Sequence, residues 1–274
     1  MATTLGIVAG AGRLPAAIAR GARRSGRRVV AVAFHGFADD TLAADVDAFV
    51  RVRLGELGAL LDALQQSGAR EAVLAGHVPK QQLFASPDLV RVDERGAAFL
   101  AGLRDQSDDA ILRALAAAIE AEGIRIASQA DYTEELLAPA GVLGGVEPSA
   151  AQRADVAWGW PLAKAIGRLD IGQTLVVKGR AVLAVEAIEG TDEAIRRGGA
   201  LAAGACVLKI FKPGQDPRFD APTVGPDTLS TLVEAGAALL AVEAGRTLVL
   251  DREEVVRRAD ASGIALLGVP GEPA

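Results

Sequence analysis

Apolar runs of strand length alternate with helix-periodic segments through the first half of the chain. Continuous apolar runs occur at residues 5–9, 29–34 and 72–75, and each is short enough for a strand buried on both faces. Residues 14–24 and 57–66 lie between these runs and carry the spacing of amphipathic helices. This order predicts βαβ units and therefore a parallel sheet.

A longer helix and a linker follow. The segment 109–122 places its apolar side chains on one side and stops at Gly123, a residue type that is common just beyond a helix end. A strand is predicted at residues 124–127. Residues 138–149 are rich in Gly, Pro and Ala and show neither the helix nor the strand period, which indicates a linker or a loop that crosses between domains.

The second half predicts helices and a mixed sheet. Residues 150–168 indicate a helix, and the alternating segments 174–178 and 181–186 predict a hairpin that turns at Gly179-Arg180. No internal repeat is evident. Further strand signals, with helices between them, lie at residues 206–211, 238–242 and 247–250.

We therefore predict an α/β protein of two domains. Residues 1–133 form an N-terminal Rossmann-like domain with a parallel sheet, and residues 140–274 form a C-terminal α/β domain with a mixed sheet. The chain has 274 residues, of which 50% are hydrophobic, and this is enough for two cores. Only 4% are aromatic, so small aliphatic side chains must fill those cores.

Charge and cysteine content exclude several classes of protein. The formal charge is -6, with 29 basic and 35 acidic residues and no long basic block, so we expect no nucleic-acid partner. Cys206 is the single cysteine, which excludes an internal disulfide and a thiolate zinc cluster. The first residues lack a signal-peptide pattern, and no apolar run reaches the roughly 20 residues that cross a bilayer. We expect a cytoplasmic protein, with peripheral contact to the inner membrane left open.

The first candidate site is the turn after the first strand. Residues 6–15 join a buried strand to a helix through Ala11, Gly12 and Arg13, whose backbone amides could hold a phosphate. The alternative is a tight turn that places Pro15 in the first helical turn. An NAD site is disfavoured, because Pro15 replaces the third glycine of the dinucleotide fingerprint and His35 stands where an acid is expected.

The second candidate site is the loop after the third strand. Gly76 and His77 follow the apolar run 72–75, and ligands bind at the carboxyl ends of such strands. We expect both residues to contact a ligand, although a single histidine is as often structural. His35 and His77 are the only histidines, so a histidine-rich metal site is excluded.

Acidic residues and a hydroxyl cluster after the predicted hairpin. Residues 186–192 include Glu189, Thr191 and Asp192, oxygen ligands of the kind that hard cations prefer. Because side chains alternate along a strand, Glu186 and Glu189 point to opposite faces unless the strand breaks. The alternative is that Thr191 and Asp192 cap the following helix.

The loop 212–228 is long, polar and fixed by four prolines, and a connection of this length is usually functional or disordered. Lys209, Lys212 and Arg218 could neutralise a pyrophosphate, while Asp216 and Asp220 could hold Mg²⁺ or orient a water molecule. The alternative is a solvated surface loop with Asp227 capping the next helix.

Taken together, these segments identify a family. The chain resembles the UDP-2,3-diacylglucosamine pyrophosphatases of the non-metallophosphoesterase type, and the resemblance spans almost its whole length. Each motif is weak alone, and the set is specific. Ala221 departs from the larger aliphatic residue that is more usual there. The segments that carry the resemblance are 6–15, 107–109, 170–173, 177–179, 186–192 and 215–225.

The resemblance implies hydrolysis of UDP-2,3-diacylglucosamine by attack of water on the α-phosphorus, which gives UMP and 2,3-diacylglucosamine 1-phosphate (lipid X). It also implies a divalent metal, Mg²⁺ or Mn²⁺, a homodimer, and two α/β domains that hold the substrate between them. Two alternatives from other classes are a non-catalytic nucleotide-sugar sensor and an NAD-dependent oxidoreductase.

We assign roles to the candidate residues on these grounds. The expected catalytic residues are Asp216, Arg218 and Asp220. The expected metal ligands are Asp216, Asp220, Glu189 and Asp192. The residues expected to bind substrate are Ala11, Gly12, Arg13, Gly76, His77, Lys178, Thr191, Lys209, Lys212, Gln215 and Thr223.

Overall fold

A computed structural model describes residues 3–79, 86–103, 108–214, 216 and 218–271, and the chain divides into two units. Unit one comprises Met1–Glu134 and Asp216–Asp220, and unit two comprises Glu135–Gln215 and Ala221–Ala274. The short segment Asp216–Asp220 therefore groups with unit one, although it lies within the range 140–274 that the sequence assigns to the second domain.

Unit one contains, within the described residues, a parallel sheet with the strand order β3-β2-β1-β4-β5. The apolar runs become the inner strands because their side chains are buried on both faces. The strands are β1 (Thr4–Ala9), β2 (Arg28–Phe34), β3 (Ala48–Val52), β4 (Glu71–Ala75) and β5 (Arg125–Ile126), and the helices are α1 (Leu14–Arg24), α2 (Leu57–Gln66), α3 (Glu94–Gly102) and α4 (Asp108–Ala121).

The edge strand β3 was absent from the sequence prediction. Its burial is partial, and of its five residues only Val52 is buried, while Val50 and Arg51 are exposed. A half-exposed edge strand lacks the continuous apolar run that marks β1, β2 and β4. The predicted helices 14–24 and 57–66 are confirmed to the residue.

Unit two contains, in the part of the chain that the structure describes, a mixed sheet with the strand order β6-β13-β11-β9-β7-β8. β11 is parallel to β9 and β13, while β7 is antiparallel to β8 and β9. The predicted α/β class, with a parallel sheet followed by a mixed sheet, is confirmed. The strands of this sheet are β6 (Gly141–Leu143), β7 (Thr174–Lys178), β8 (Ala181–Val185), β9 (Cys206–Lys209), β11 (Leu239–Ala244) and β13 (Ala265–Pro270). Two short strands, β10 (Thr223–Val224) and β12 (Leu248–Val249), pair with each other outside this sheet. The helices are α5 (Ala150–Arg168), α6 (Thr191–Leu201), α7 (Pro226–Glu234) and α8 (Arg252–Ala261).

The hairpin turn has the predicted backbone conformation, and the predicted linker contains a strand. Gly179 and Arg180 both have positive φ, at 58° and 57°, as a two-residue hairpin turn requires. The segment 138–149, predicted as a linker or a loop that crosses between domains, contains the three-residue strand β6, which pairs with β13. None of the helices in the described residues is both long and apolar enough to span a bilayer.

Candidate functional site

Two loops of unit one meet at the carboxyl ends of the neighbouring strands β1 and β4. The Ala11 amide donates to the His77 carbonyl oxygen at 2.8 Å, and the His77 amide donates back to the Ala11 carbonyl oxygen at 3.1 Å. His77 itself is exposed. Because ligands of parallel sheets bind at this edge, the structure brings Ala11, Gly76 and His77 together where a ligand is expected.

Glycine is required at positions 10 and 76 because the two loops pack closely. A Cβ atom at Gly10 would lie 2.6 Å from the His77 carbonyl oxygen, and one at Gly76, where φ is +85°, would lie 2.5 Å from the Ala11 carbonyl oxygen. The Gly10 amide donates to the Ala75 carbonyl oxygen at 2.8 Å. These two amides, of Gly10 and Ala11, thus stabilise the loop pair.

Pro15 lies in the first turn of α1, as the tight-turn alternative predicts. Arg13 is the N-cap residue of this helix, and its side chain makes no capping hydrogen bond. The close packing of the two loops explains why positions 10 and 76 are glycine, and this explanation does not require a bound phosphate. The substrate contacts predicted for Ala11, Gly12 and Arg13 stay predictions.

The segment Asp216–Asp220 is anchored in unit one by Phe219. This side chain is 5% exposed and belongs to the same hydrophobic cluster as Leu74 and Ile119. The Asp220 amide donates to the Asp216 carbonyl oxygen at 3.2 Å, which closes a turn over the intervening residues. The turn leaves Asp220 half-buried.

Asp216 and Arg218 form an ion pair within this turn. The Arg218 Nε and Nη2 atoms donate to Asp216 at 3.1 and 2.9 Å, and the Arg218 backbone amide donates to Asp216 Oδ1 at 3.0 Å. Arg218 Nη1 donates to Glu120 at 3.0 Å, and Arg113 lies 3.9 Å from Asp216. The hydrogen bonds from the Arg218 side chain hold the pKa of Asp216 below its ordinary value, and the Asp216 carboxylate raises the pKa of Arg218.

A mostly apolar cavity of about 310 Å³ opens beside Asp220 in unit one. It lies under the loops that follow β1 and β4, and it extends along one side of α4. Its lining combines aliphatic and aromatic side chains with Asp220 and His77. The lining residues are Val8, Gly10, Phe34, Leu54, Leu74, Ala75, Gly76, His77, Val78, Ile111, Leu112, Leu115, Phe219 and Asp220.

Unit two has a separate polar cluster around Thr191, the first residue of α6. Its Oγ1 atom lies 3.2 Å from Thr174 Oγ1 and donates to Glu186 Oε1 at 3.2 Å. Lys209 is the cross-strand neighbour of Thr174 and is 6% exposed, and its Nζ donates to the Thr223 carbonyl oxygen at 3.0 Å. The structure thus groups three predicted substrate-binding residues, Thr191, Lys209 and Thr223.

The other candidates of unit two have local partners. Lys178 donates to the Ala203 carbonyl oxygen at the hairpin, and Lys212 donates to Asp170 at 2.6 Å. Asp192 lies in the first turn of α6, whose N-cap residue is Gly190 with φ of 86°. The alternative in which Thr191 and Asp192 cap this helix is therefore wrong. Gln215 lies outside the described residues.

Glu189 is paired with Arg197. The Arg197 guanidinium donates to Glu189 Oε1, and the Ala187 amide donates to Glu189 Oε2 at 3.2 Å. A hydrogen bond from its own backbone amide, and then the Arg197 partner, hold the pKa of Glu189 below its ordinary value. This carboxylate already has charge compensation within unit two.

A divalent ion bound by protein alone needs several oxygen or nitrogen ligands that converge on one point. Among the described residues, no group of three or more His, Cys, Asp or Glu side chains is arranged to hold a metal. Magnesium, however, often binds through one or two carboxylates and is otherwise coordinated by substrate phosphates and water. Asp220, on the cavity wall, is the candidate ligand for such an ion. Asp216 and Glu189 accept hydrogen bonds from arginines.

Three residues that contact the candidate residues were absent from the sequence prediction. Gln129 is 2% exposed and binds the backbone of the Asp216–Asp220 segment. Glu120 accepts a hydrogen bond from Arg218 Nη1. Thr174 lies within hydrogen-bond distance of Thr191 and pairs with Lys209 on the neighbouring strand. Thr174 is the first residue of the predicted hairpin. The only signal that could have identified it is its position on the same sheet face as Lys209.

Comparison with known families matches both halves of the chain. The family models described as the LpxI N-terminal domain and the LpxI C-terminal domain match residues 4–136 and 139–267. A curated relative from Caulobacter vibrioides, named UDP-2,3-diacylglucosamine pyrophosphatase LpxI, is 37% identical over 277 aligned positions, which cover 97% of each chain.

Solved structures give weaker similarities. The UDP-glucose 4-epimerase of Thermus thermophilus is 12% identical, with 99% of this chain and 88% of that chain covered and a TM-score of 0.33. The phosphoribosylglycinamide synthetase from Anaerococcus prevotii is also 12% identical, with 64% and 31% covered and a TM-score of 0.27. Scores this low support no conclusion about fold or function.

Proposed function

The chain belongs to the LpxI family, and on that premise we propose that it hydrolyses the pyrophosphate of UDP-2,3-diacylglucosamine to UMP and lipid X. The observation in unit one that supports this activity is the combination of a carboxylate, Asp220, with an adjoining apolar cavity of about 310 Å³. A pyrophosphate substrate that carries acyl chains needs both kinds of surface close together.

In the proposed reaction, a water oxygen forms a bond to the α-phosphorus. The bond between that phosphorus and the bridging oxygen breaks, and its electron pair leaves with the lipid phosphate. One product is UMP, which retains the water oxygen, and the other is lipid X. Attack at this phosphorus is the expectation from the family resemblance, and it fixes where an isotopic label from water must appear.

We assign Asp220 the role of orienting the attacking water and accepting its proton at a carboxylate oxygen. General-base catalysis by a positioned carboxylate contributes typically about 10²- to 10⁴-fold. Asp220 is half-buried at the end of a turn whose backbone is held by hydrogen bonds, so the backbone that carries its carboxylate has a defined position. Arg218 and Asp216 hold the shape of this turn, and we assign them a positioning role.

A divalent cation, Mg²⁺ or Mn²⁺, is part of the proposal. Asp220 would hold it, together with substrate phosphate oxygens. When bound, such an ion supplies positive charge at the phosphoryl oxygens, where charge develops during phosphoryl transfer.

The apolar cavity is proposed to take an acyl chain of the substrate. Its walls are formed by side chains such as Leu54, Leu112 and Leu115, which offer dispersion contacts and no hydrogen bonds. Burial of apolar surface contributes about 25 cal/mol for each Å² removed from water. The cavity would therefore favour the acylated substrate over nucleotide sugars without acyl chains.

The test is turnover of UDP-2,3-diacylglucosamine with and without Mg²⁺, with Asp220→Asn and the control Asp62→Asn. Asp62 is exposed on α2 and does not line the cavity. We expect release of UMP by the wild type and by Asp62→Asn, and a loss of at least about 100-fold in Asp220→Asn. Binding of substrate without any turnover by the wild type would instead favour the nucleotide-sugar sensor.

A homodimer, a cytoplasmic location and peripheral contact with the inner membrane complete the proposal. All three are expectations from the family resemblance and the composition. Light scattering coupled to size-exclusion chromatography tests the dimer. Sedimentation with anionic lipid vesicles tests the membrane contact, and cell fractionation tests the location.

A further inference from the structure

Gln129 is a buried amide side chain next to the candidate catalytic turn. It begins a single helical turn, Gln129–Tyr132, which is separated from β5 by two residues and is fixed by a reciprocal cap between Ser128 and Asp131. Gln129 is 2% exposed, and the Thr133 hydroxyl donates to its carbonyl oxygen at 2.8 Å. The Gln129 backbone is therefore fixed independently of the contacts of its side chain.

The side chain of Gln129 connects two parts of unit one that are distant in the sequence. Nε2 donates to the Leu74 carbonyl oxygen at 2.8 Å and to the Phe219 carbonyl oxygen at 2.9 Å. The Gln129 backbone amide donates to the Arg218 carbonyl oxygen at 2.9 Å. Two acceptors at these distances require the NH₂ end of the amide, which is the only end that can donate.

These contacts fix the peptide plane in front of Asp220. The Phe219 carbonyl and the Asp220 amide belong to one planar peptide group. Gln129 binds its carbonyl oxygen, and the Asp216 carbonyl oxygen binds its N–H at 3.2 Å. With both ends held, the rotation of this plane is restrained, and so is the Cα atom that carries the Asp220 carboxylate.

The same amide ties this plane to the sheet. Leu74 is the penultimate residue of β4, the strand that leads into the Gly76-His77 loop, and it lines the cavity beside Asp220. Gln129 thus sets the position of the turn relative to the loop and the cavity on the same unit. A hydrophobic side chain of similar length could fill the space but would leave both carbonyl oxygens without this donor.

We propose that Gln129 is a positioning residue for Asp220, acting through the Phe219–Asp220 peptide. This inference rests on the proposed function, because it assigns Gln129 a part in the reaction of Asp220. A positioning role differs from a purely structural role in one respect. Loss of the Gln129 amide must then affect the chemical step more than substrate binding.

The test compares Gln129→Met with the matched control Tyr132→Phe. The control removes a hydrogen bond of the same helical turn, from the Tyr132 hydroxyl to Glu71 at 3.0 Å, without touching the Asp216–Asp220 segment. We expect Gln129→Met to lower kcat by about 100-fold, as a small misplacement of a catalytic group does, with little change in KM. Tyr132→Phe should keep the wild-type kcat.

A second variant and a second readout keep the test decisive. Gln129→Asn retains the donor but is one methylene shorter, so it cannot reach both carbonyl oxygens, and its kcat should lie between those of wild type and Gln129→Met. Hydrogen exchange of the Asp220 amide should accelerate in both Gln129 variants and not in Tyr132→Phe.

Two results separate the possible failures. A kcat of Gln129→Met equal to that of Tyr132→Phe, with unchanged exchange of the Asp220 amide, overturns the positioning role. Absence of turnover in the wild type counts against the proposed function instead, and the exchange measurement then still decides whether Gln129 fixes the Asp220 backbone.

Discussion

The Arg218 side chain donates to the Asp216 carboxylate from two nitrogen atoms, from Nε at 3.1 Å and from Nη2 at 2.9 Å. The geometry uses the planar fork of the guanidinium, which a lysine cannot reproduce. The sequence favoured Arg218 as a group that neutralises the pyrophosphate, whereas its N–H groups in the structure bind carboxylates.

Arg218→Lys should lower kcat by about 10- to 100-fold and leave KM nearly unchanged, because the turn that carries Asp220 loses the two-point hydrogen bonding of the guanidinium while the positive charge remains. Steady-state kinetics measure both constants. Arg51→Lys serves as the control, since Arg51 is exposed on β3 and pairs with Asp40. A large rise in KM at constant kcat would mean that Arg218 contacts the substrate directly.

Leu115→Trp should narrow the apolar cavity and select against acylated substrate. The expected result is a fall of at least about tenfold in kcat/KM for UDP-2,3-diacylglucosamine, since a change of one methylene in an apolar pocket is worth about 1–3 kcal/mol. UDP-glucosamine without acyl chains should be unaffected as a competitor. Leu100→Trp is the control, because Leu100 is 51% exposed and lies outside the cavity lining. Equal losses for both ligands would argue against an acyl site.

Thr191→Val tests the polar cluster of unit two. If Thr191 contacts the substrate, as the sequence predicts, Thr191→Val should raise KM by about tenfold, the equivalent of one lost hydrogen bond to a charged group. Thr191→Ser keeps the hydroxyl and should restore the wild-type KM. An unchanged KM in Thr191→Val would restrict Thr191 to its hydrogen bonds with Thr174 and Glu186.

Glu71→Gln should destabilise unit one in a pH-dependent way. The hydrogen bond from Arg125 is the largest cause that lowers the pKa of Glu71 below its ordinary value of 4.5, and Tyr132 and Arg27 act in the same direction. A depressed pKa stabilises the fold fully above pH 4.5, and this stabilisation is lost as the pH falls through the folded-state pKa.

Urea unfolding at several pH values measures this effect. We expect a free-energy difference between wild type and Glu71→Gln of about 1–3 kcal/mol at pH 7, shrinking towards pH 3. Glu94→Gln, on the first turn of α3 and exposed, is the control. A difference that stays constant from pH 7 to pH 3 would contradict the assignment of the stabilisation to the Glu71 carboxylate.

The inner strands and the longer helices could be predicted from the sequence because their patterns are local. β1, β2 and β4 are continuous apolar runs, and α5 was predicted over the residues that form it. β6 was missed because three residues among glycines give no period. β13 was missed although three of its six residues are buried.

The candidate site was less predictable because its contacts are long-range. The residues of the turn, Asp216, Arg218 and Asp220, were identified by their charge and by the family resemblance. Their place in unit one depends on Phe219, a single aromatic residue within a polar loop, and on Gln129, which lies about 90 positions earlier. A lone glutamine after a short strand carries no local signal that distinguishes it from a surface residue.

Hydrolysis of UDP-2,3-diacylglucosamine in oxygen-18 water tests the central claim most directly. The proposed attack on the α-phosphorus predicts one labelled oxygen in UMP, none in lipid X, and loss of labelled product in Asp220→Asn but not in Asp62→Asn. Label in lipid X would contradict the site of attack, and undiminished labelling of UMP by Asp220→Asn would contradict the role of Asp220.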